Sequence, residues 1–369
     1  MSTTDSPDVA PWPSPRQNSL LLGHETAEAV FLSAVRSGRL PHAWLISGPE
    51  GIGKACFAYR AARFMLAGGL QAESGPSLFG EAEPAASDMA IPTDSLVFRR
   101  VAAASHPDLL TVERSVNERT KKERTEIVVD DARTIGDFLH LTAGDGGWRV
   151  VIIDSVDEMN RNAANAVLKV LEEPPKNALL LLVSHSPGRL LPTIRSRCRS
   201  LRLDPLDDAV MDDLLARYLP EEAGENRLLL ARLGEGSIGK ALALHQAGGL
   251  ALYRDLVSLL AELPRLEARK LHSFAARFEK AGSEAGFETC MILLADWIAR
   301  LVRAGSQNHL PQAILAEEEE VARRLLALHS LDRWMQLWEK VRHLTARTDA
   351  INLERKQVVI TAFLALQAS

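Results

Sequence analysis

A strand, a glycine-rich turn and a helix follow one another between residues 43 and 65, and this order constrains the fold more than any other stretch of the chain. Ala43 to Ser47 is a short apolar run, Gly48-Pro49-Glu50-Gly51-Ile52-Gly53-Lys54-Ala55 is the turn, and a helical pattern runs from Ala55 to Met65. Glycines there let successive backbone N–H groups turn inward around phosphate oxygens, the helix N-terminus adds positive potential, and a lysine supplies a point charge. Gly48, Pro49, Gly51, Gly53 and Lys54 are therefore the candidate nucleotide-binding residues. The alternative is a glycine-rich turn that holds no nucleotide. The last position of such a loop carries a Ser or Thr hydroxyl that binds Mg²⁺, and Ala55 has none.

Four further apolar runs bounded by turn residues, at Leu109 to Val112, Arg149 to Asp154, Ala178 to Ser184 and Ser200 to Leu203, predict buried parallel strands. Helical patterns fit between them, notably Ala163 to Leu171, which stops at Pro174-Pro175 because proline cannot continue a helix. The expected fold class is thus α/β followed by all-α. A parallel-sheet P-loop domain spans 18–204, a small helical domain 205–250 and a helical bundle 251–369. The first 17 residues, with prolines at Pro7, Pro11, Pro13 and Pro15, are expected to be disordered. Residues 68–95 carry Glu73, Glu81, Glu83, Asp88 and Asp94 without a Lys or Arg and read as a flexible acidic insertion.

Two more segments bear on chemistry. Val150 to Asp154 is a buried strand ending in a carboxylate, the place from which Asp154 would organise Mg²⁺ through its water shell; the other reading is a strand-end Asp that caps a turn. The following residue, Ser155, is too weak a base to activate water. Asp157 and Glu158 lie a few positions on, displaced from the strand tip. In Thr193-Ile194-Arg195-Ser196-Arg197-Cys198, Arg197 sits on a loop from which a guanidinium can reach a neighbouring subunit's γ-phosphate, although loop arginines mostly form salt bridges or stay solvated.

These motifs, together with Leu22-Gly23-His24-Glu25, Gly38-Arg39-Leu40-Pro41-His42-Ala43, Asn165 to Lys169 and Leu171-Glu172-Glu173-Pro174-Pro175, resemble in order and spacing the bacterial clamp-loader subunits of the AAA+ class. The resemblance covers about residues 21–244. Farther on it rests on helical character and on Asn352 to Lys356. It implies an AAA+ domain, a helical lid and a C-terminal collar that joins subunits in a ring. It also implies partners: the gamma or tau and delta subunits, and through the complex a sliding clamp and primed DNA. Relatives that hydrolyse ATP usually carry a sensor arginine where Gly236-Ser237-Ile238-Gly239 places Gly239. With Ala55, Ser155 and Gly239 in those positions and Ser196-Arg197-Cys198 retained, the chain is similar to the non-hydrolysing members, and Arg197 would act in trans as an arginine finger. An active ATPase with an unconventional Mg²⁺ site, using Asp157 or Glu158, is the rival, and a nucleotide-sensing scaffold a third reading.

Composition narrows the partners. There are 43 Lys and Arg against 48 Asp and Glu, a net charge of −5, so no global basic field drives binding to nucleic acid. Cys56, Cys198 and Cys290 form no C-x-x-C pair, and zinc is not expected; no cofactor is required, with weak ATP or ADP binding as the most the loop would do. The longest strongly apolar run, Ala178 to Val183, is far short of the roughly 20 residues that cross a bilayer, which predicts a cytoplasmic protein with no membrane partner. Glu317 to Glu320 reads as a solvated helix segment, and Trp334 with Trp338 as bundle packing.

Overall fold

Ala43–Ser47 (β1) lies inside a five-stranded parallel sheet of order β2-β3-β4-β1-β5, with Leu109–Val112 (β2), Arg149–Asp154 (β3), Ala178–Ser184 (β4) and Arg199–Arg202 (β5). The computed structural model describes residues 12–71, 88–116, 124–141, 147–280, 282–351 and 353–367. Glu25–Arg36 (α1), Lys54–Leu66 (α2), Leu96–Ala102 (α3), Val129–His140 (α4), Arg161–Glu172 (α5), Pro192–Arg195 (α6) and Asp208–Tyr218 (α7) complete the first compact unit, which also takes in Gly236–Gly239.

Both faces of the central strands are covered, which is why they are apolar throughout rather than alternating. Trp44, Ile46, Val150, Ile152, Leu179, Leu181 and Val183 pack with Phe31 of α1 and with Phe57 and Ala61 of α2. The intervening residues Leu45, Val151, Ile153, Leu180 and Leu182 pack on the other face with Ile135 of α4 and Val167 of α5. Asn160 starts α5 by accepting the Ala163 amide at 3.0 Å, and Pro174-Pro175 follow its end. Pairing aligns Ser47 with Ser184 and with Arg202, and Asp154 with Val183, so the P-loop and the tips of β3 and β4 open at one edge. Ligands bind at this C-terminal edge in open parallel sheets.

Two expectations about the ends of segments change. Residues 12–17 are not free of the fold: the Gln17 and Asn18 amides close a turn on the Ser14 carbonyl, and buried Arg63 donates to the carbonyls of Arg16 and Asn18 at 3.1 and 2.8 Å. Residues 1–11 lie outside the described residues, as do 72–87 of the insertion. Its C-terminal end is anchored, since Met89 is fully buried and its amide donates to Glu28, which pairs with Arg60 at 2.8 Å.

The second compact unit comprises Leu219–Glu235 and the chain from Lys240 onward. It contains Gly224–Gly234 (α8), most of Ile238–Gln246 (α9), Gly249–Glu262 (α10), Ala268–Ala275 (α11), Glu284–Ser306 (α12), Glu318–Leu328 (α13), Leu331–Ile351 (α14) and Arg355–Gln367 (α15). The expected lid at 205–250 is thus divided: α7 belongs to the first unit, while α8 and most of α9 fall in one unit with the helices expected as the collar. Trp334 is fully buried and donates its indole N–H to the Leu325 carbonyl at 3.1 Å, while half-buried Trp338 stacks with Arg342. Arg355 and Lys356 pair with Glu284 and Glu279. One reading is corrected here: Glu318 is buried, not solvated, and accepts from Tyr253 at 2.7 Å and pairs with Arg300 at 3.2 Å. Among the described residues no helix is long and apolar enough to cross a membrane.

Candidate functional site

The turn after β1 has the backbone of a phosphate loop. Gly48, Gly51 and Gly53 all have positive φ, and a β-carbon at Gly48 would run into the Leu203 carbonyl, so only glycine fits there. His24 donates from Nε2 to the Ile52 carbonyl at 2.7 Å, and burial lowers the imidazole pKa.

The Lys54 ammonium and three carbonyls of the loop, however, bond to the chain itself. Lys54 is 3% exposed and its Nζ donates to the Pro49 carbonyl, within the loop. Burial lowers its pKa to about 8, against the opposing pull of Asp154, Glu50 and Asp157. The Gly51 carbonyl accepts from the Gly239 amide at 2.9 Å, and the Glu50 carbonyl accepts from the Ser237 hydroxyl at 2.8 Å. Gly239 approaches so closely that a β-carbon on it would lie 2.9 Å from Gly51 Cα. The residue beside it, Lys240, points elsewhere and pairs with Asp296 at 2.6 Å.

At the tip of β3 burial raises the Asp154 pKa, partly offset by a hydrogen bond from Ser155 and by the charges of His185 and Lys54. Ser155 Oγ donates to Asp154 at 3.2 Å and shares a 2.6 Å hydrogen bond with Nε2 of His185. Asp157 Oδ2 accepts the amides of His185 and Ser186 at 2.8 and 3.3 Å, and Glu158 pairs with Arg114 at 3.2 Å. Asp157 Oδ1, Ser184 Oγ and His185 Nδ1 are buried and find no hydrogen-bond partner among the described residues. Magnesium demands several oxygen ligands in near-octahedral geometry. Asp154 keeps acceptor positions free beside its bond from Ser155, but Ala55 offers no hydroxyl where the loop would supply a direct Mg²⁺ ligand, so the donor set is short of one oxygen for a Mg²⁺–nucleotide. The hydrogen bonds of Ser237 and Gly239 to the loop, and of His185 to Ser155, are contacts that sequence reasoning did not reach. Nothing in their local pattern announces contacts between positions so far apart in the chain.

Arg197 lies away from these groups, just after α6. Its side chain is 34% exposed; Nη2 pairs with Glu172 Oε1 at 2.7 Å and Nη1 donates to the Thr193 carbonyl at 3.0 Å. It is thus a surface guanidinium held by an acid, and not part of the core. Cys198 packs against the α4–α5 face, and burial raises its thiol pKa to about 11, so the neighbouring arginines do not make it reactive.

Comparison with known proteins adds a family. The family model described as "DNA polymerase III, delta subunit" matches residues 23–207. DNA polymerase III subunit delta' of Pseudomonas aeruginosa is 38% identical over 208 residues, 56% of this chain and 56% of that protein. Subunit tau of Escherichia coli is 33% identical over 228 residues, 61% of this chain and 32% of that one. Subunit delta' of Bacillus subtilis is 26% identical over 317 residues, 81% of this chain and 87% of that one. The matched region therefore spans about half the length of the first relative and about a third of the second.

Proposed function

The chain belongs to the DNA polymerase III delta-subunit family, on its delta' side, and from that premise we propose that it hydrolyses no ATP itself and lends Arg197 to the active site of a neighbouring clamp-loader ATPase. The observation that carries this reading is the Lys54 ammonium bonded back onto its own loop. A phosphate loop works by aiming its lysine and amides at phosphate oxygens. Here the Lys54 ammonium is turned back onto the Pro49 carbonyl, and the loop is braced from outside through the carbonyls of Gly51 and Glu50, which accept from Gly239 and Ser237. Ala55 lacks the metal-binding hydroxyl and Ser155 the water-activating carboxylate, so every change favours loss of turnover.

Arg197, in contrast, remains at the surface on a loop between α6 and β5. A guanidinium delivered to a neighbour's γ-phosphate stabilises the charge of the transition state, an effect of roughly 10³ to 10⁵ in turnover in phosphoryl-transfer systems. The proposed partners are gamma or tau, which would hydrolyse the ATP, and delta; together they would open and close a sliding clamp on primed DNA in the cytoplasm. No nucleotide or metal is required in this subunit. The rival, an active ATPase with an unconventional Mg²⁺ site, is disfavoured because Glu158 is paired with Arg114 and one oxygen of Asp157 is held by two backbone amides, which fixes that carboxylate on the His185–Ser186 backbone.

The test is DNA-stimulated hydrolysis by a complex reconstituted with gamma or tau and delta. Arg197→Ala should cut turnover steeply and Lys54→Ala should leave it close to wild type. If the lysine change silences the complex and the arginine change does not, the roles assigned here are wrong. The isolated chain should show no turnover above background.

A further inference from the structure

We propose that Glu172 is a positioning residue that holds Arg197 back until the neighbouring nucleotide is engaged. The proposal rests on the finger role of Arg197 and adds a partner that controls it. Glu172 is the last residue of α5, where the helix dipole disfavours a carboxylate, and Glu173 follows it. The acid therefore gains nothing from its own helix. Its close partner is the guanidinium of Arg197, 2.7 Å away, and the second arm of the same fork is tied to the Thr193 carbonyl.

A guanidinium fork that grips a carboxylate offers the same face that would grip a phosphate. Arg197 Nη2 cannot bind both at once, so reaching a γ-phosphate means releasing Glu172. The pair is half-exposed, and ion pairs in such surroundings are weak. A nucleotide phosphate, more highly charged and enclosed by two subunits, would displace the carboxylate once the subunits close. Before closure the carboxylate wins, and the finger stays docked on its own chain. The element is thus a two-position guanidinium whose anion changes.

The experiment uses the reconstituted complex with and without primed DNA, comparing Glu172→Gln with Arg197→Ala and with Glu173→Gln as control. Glutamine keeps the shape of residue 172 and removes its charge. Expected is a rise of about two- to five-fold in DNA-free kcat, the range set by an exposed pair, with KM for ATP unchanged and the DNA-stimulated maximum unaltered. Glu173→Gln should match wild type. If Glu172→Gln leaves DNA-free kcat unchanged or lowers it, while Arg197→Ala still abolishes stimulation, the hold-back role is overturned and the finger stands. If Arg197→Ala has no effect on turnover, the finger reading itself fails and this proposal with it.

Discussion

The amide of Gly239 donates to the carbonyl of Gly51 across 2.9 Å, joining the start of α9 to the phosphate loop. The contact is backbone against backbone and leaves no space for a side chain, because an added β-carbon would lie 2.9 Å from Gly51 Cα. Gly239→Ala should therefore destabilise the chain by about 1–3 kcal/mol, the usual cost of overpacking. Urea unfolding would report it as a lower midpoint at constant slope. An unaltered midpoint would mean that the two segments part without cost.

Lys54 carries a stability penalty that depends on pH. Its pKa falls from 10.5 in the unfolded chain to about 8 in the fold. The unfolded state binds more protons between these values, so stability rises with pH across that window. Below about pH 8 the lysine is charged in both states, and the full penalty, on the order of 3 kcal/mol, is present. Lys54→Met should accordingly be more stable than wild type at pH 7, with the difference shrinking toward pH 10.5. Thermal melts at pH 7, 8.5 and 10 test this, and a gap that does not change with pH would refute it.

The acidic run at 317–320 contains residues of two kinds. Glu318 is 2% exposed and pairs with Arg300 beside Tyr253, whereas Glu319 and Glu320 bind Arg323 at the surface. Removing one partner of a buried pair leaves an uncompensated charge, so Glu318→Gln should cost about 3 kcal/mol. Glu320→Gln should stay within about 0.5 kcal/mol of wild type. Chemical denaturation of the two variants separates them, and equal midpoints would contradict the burial.

What could be read from the sequence follows the range of each interaction. The first four strands begin and end where the apolar runs do: β1, β3 and β4 are buried on both faces and carry their own signal, and β2, half-buried at the sheet edge, is still apolar but for Thr111; β5, the other edge, is displaced by one residue, with Arg199 and Arg202 flanking a single buried leucine, Leu201. The glycine-rich turn and the loop bearing Arg197 stand out in the sequence because each is a continuous motif of a few residues. The engagement of the loop by Ser237 and Gly239, the hydrogen bond between Ser155 and His185, and the pairing of Glu172 with Arg197 join residues up to 188 positions apart. Periodicity carries no information at that range. Glu318 was missed for a related reason: a run of like charges looks solvated until the helix register turns one member inward.

Gly48 gives the loop's glycine pattern a different significance. Its lack of a side chain is imposed by the passage of Leu203 directly alongside, in the adjoining strand segment, and no phosphate enters that requirement. The same residue would be demanded at this corner whatever the turn holds, so glycine at position 48 is a joint of the sheet and by itself carries no record of the chemistry at its edge.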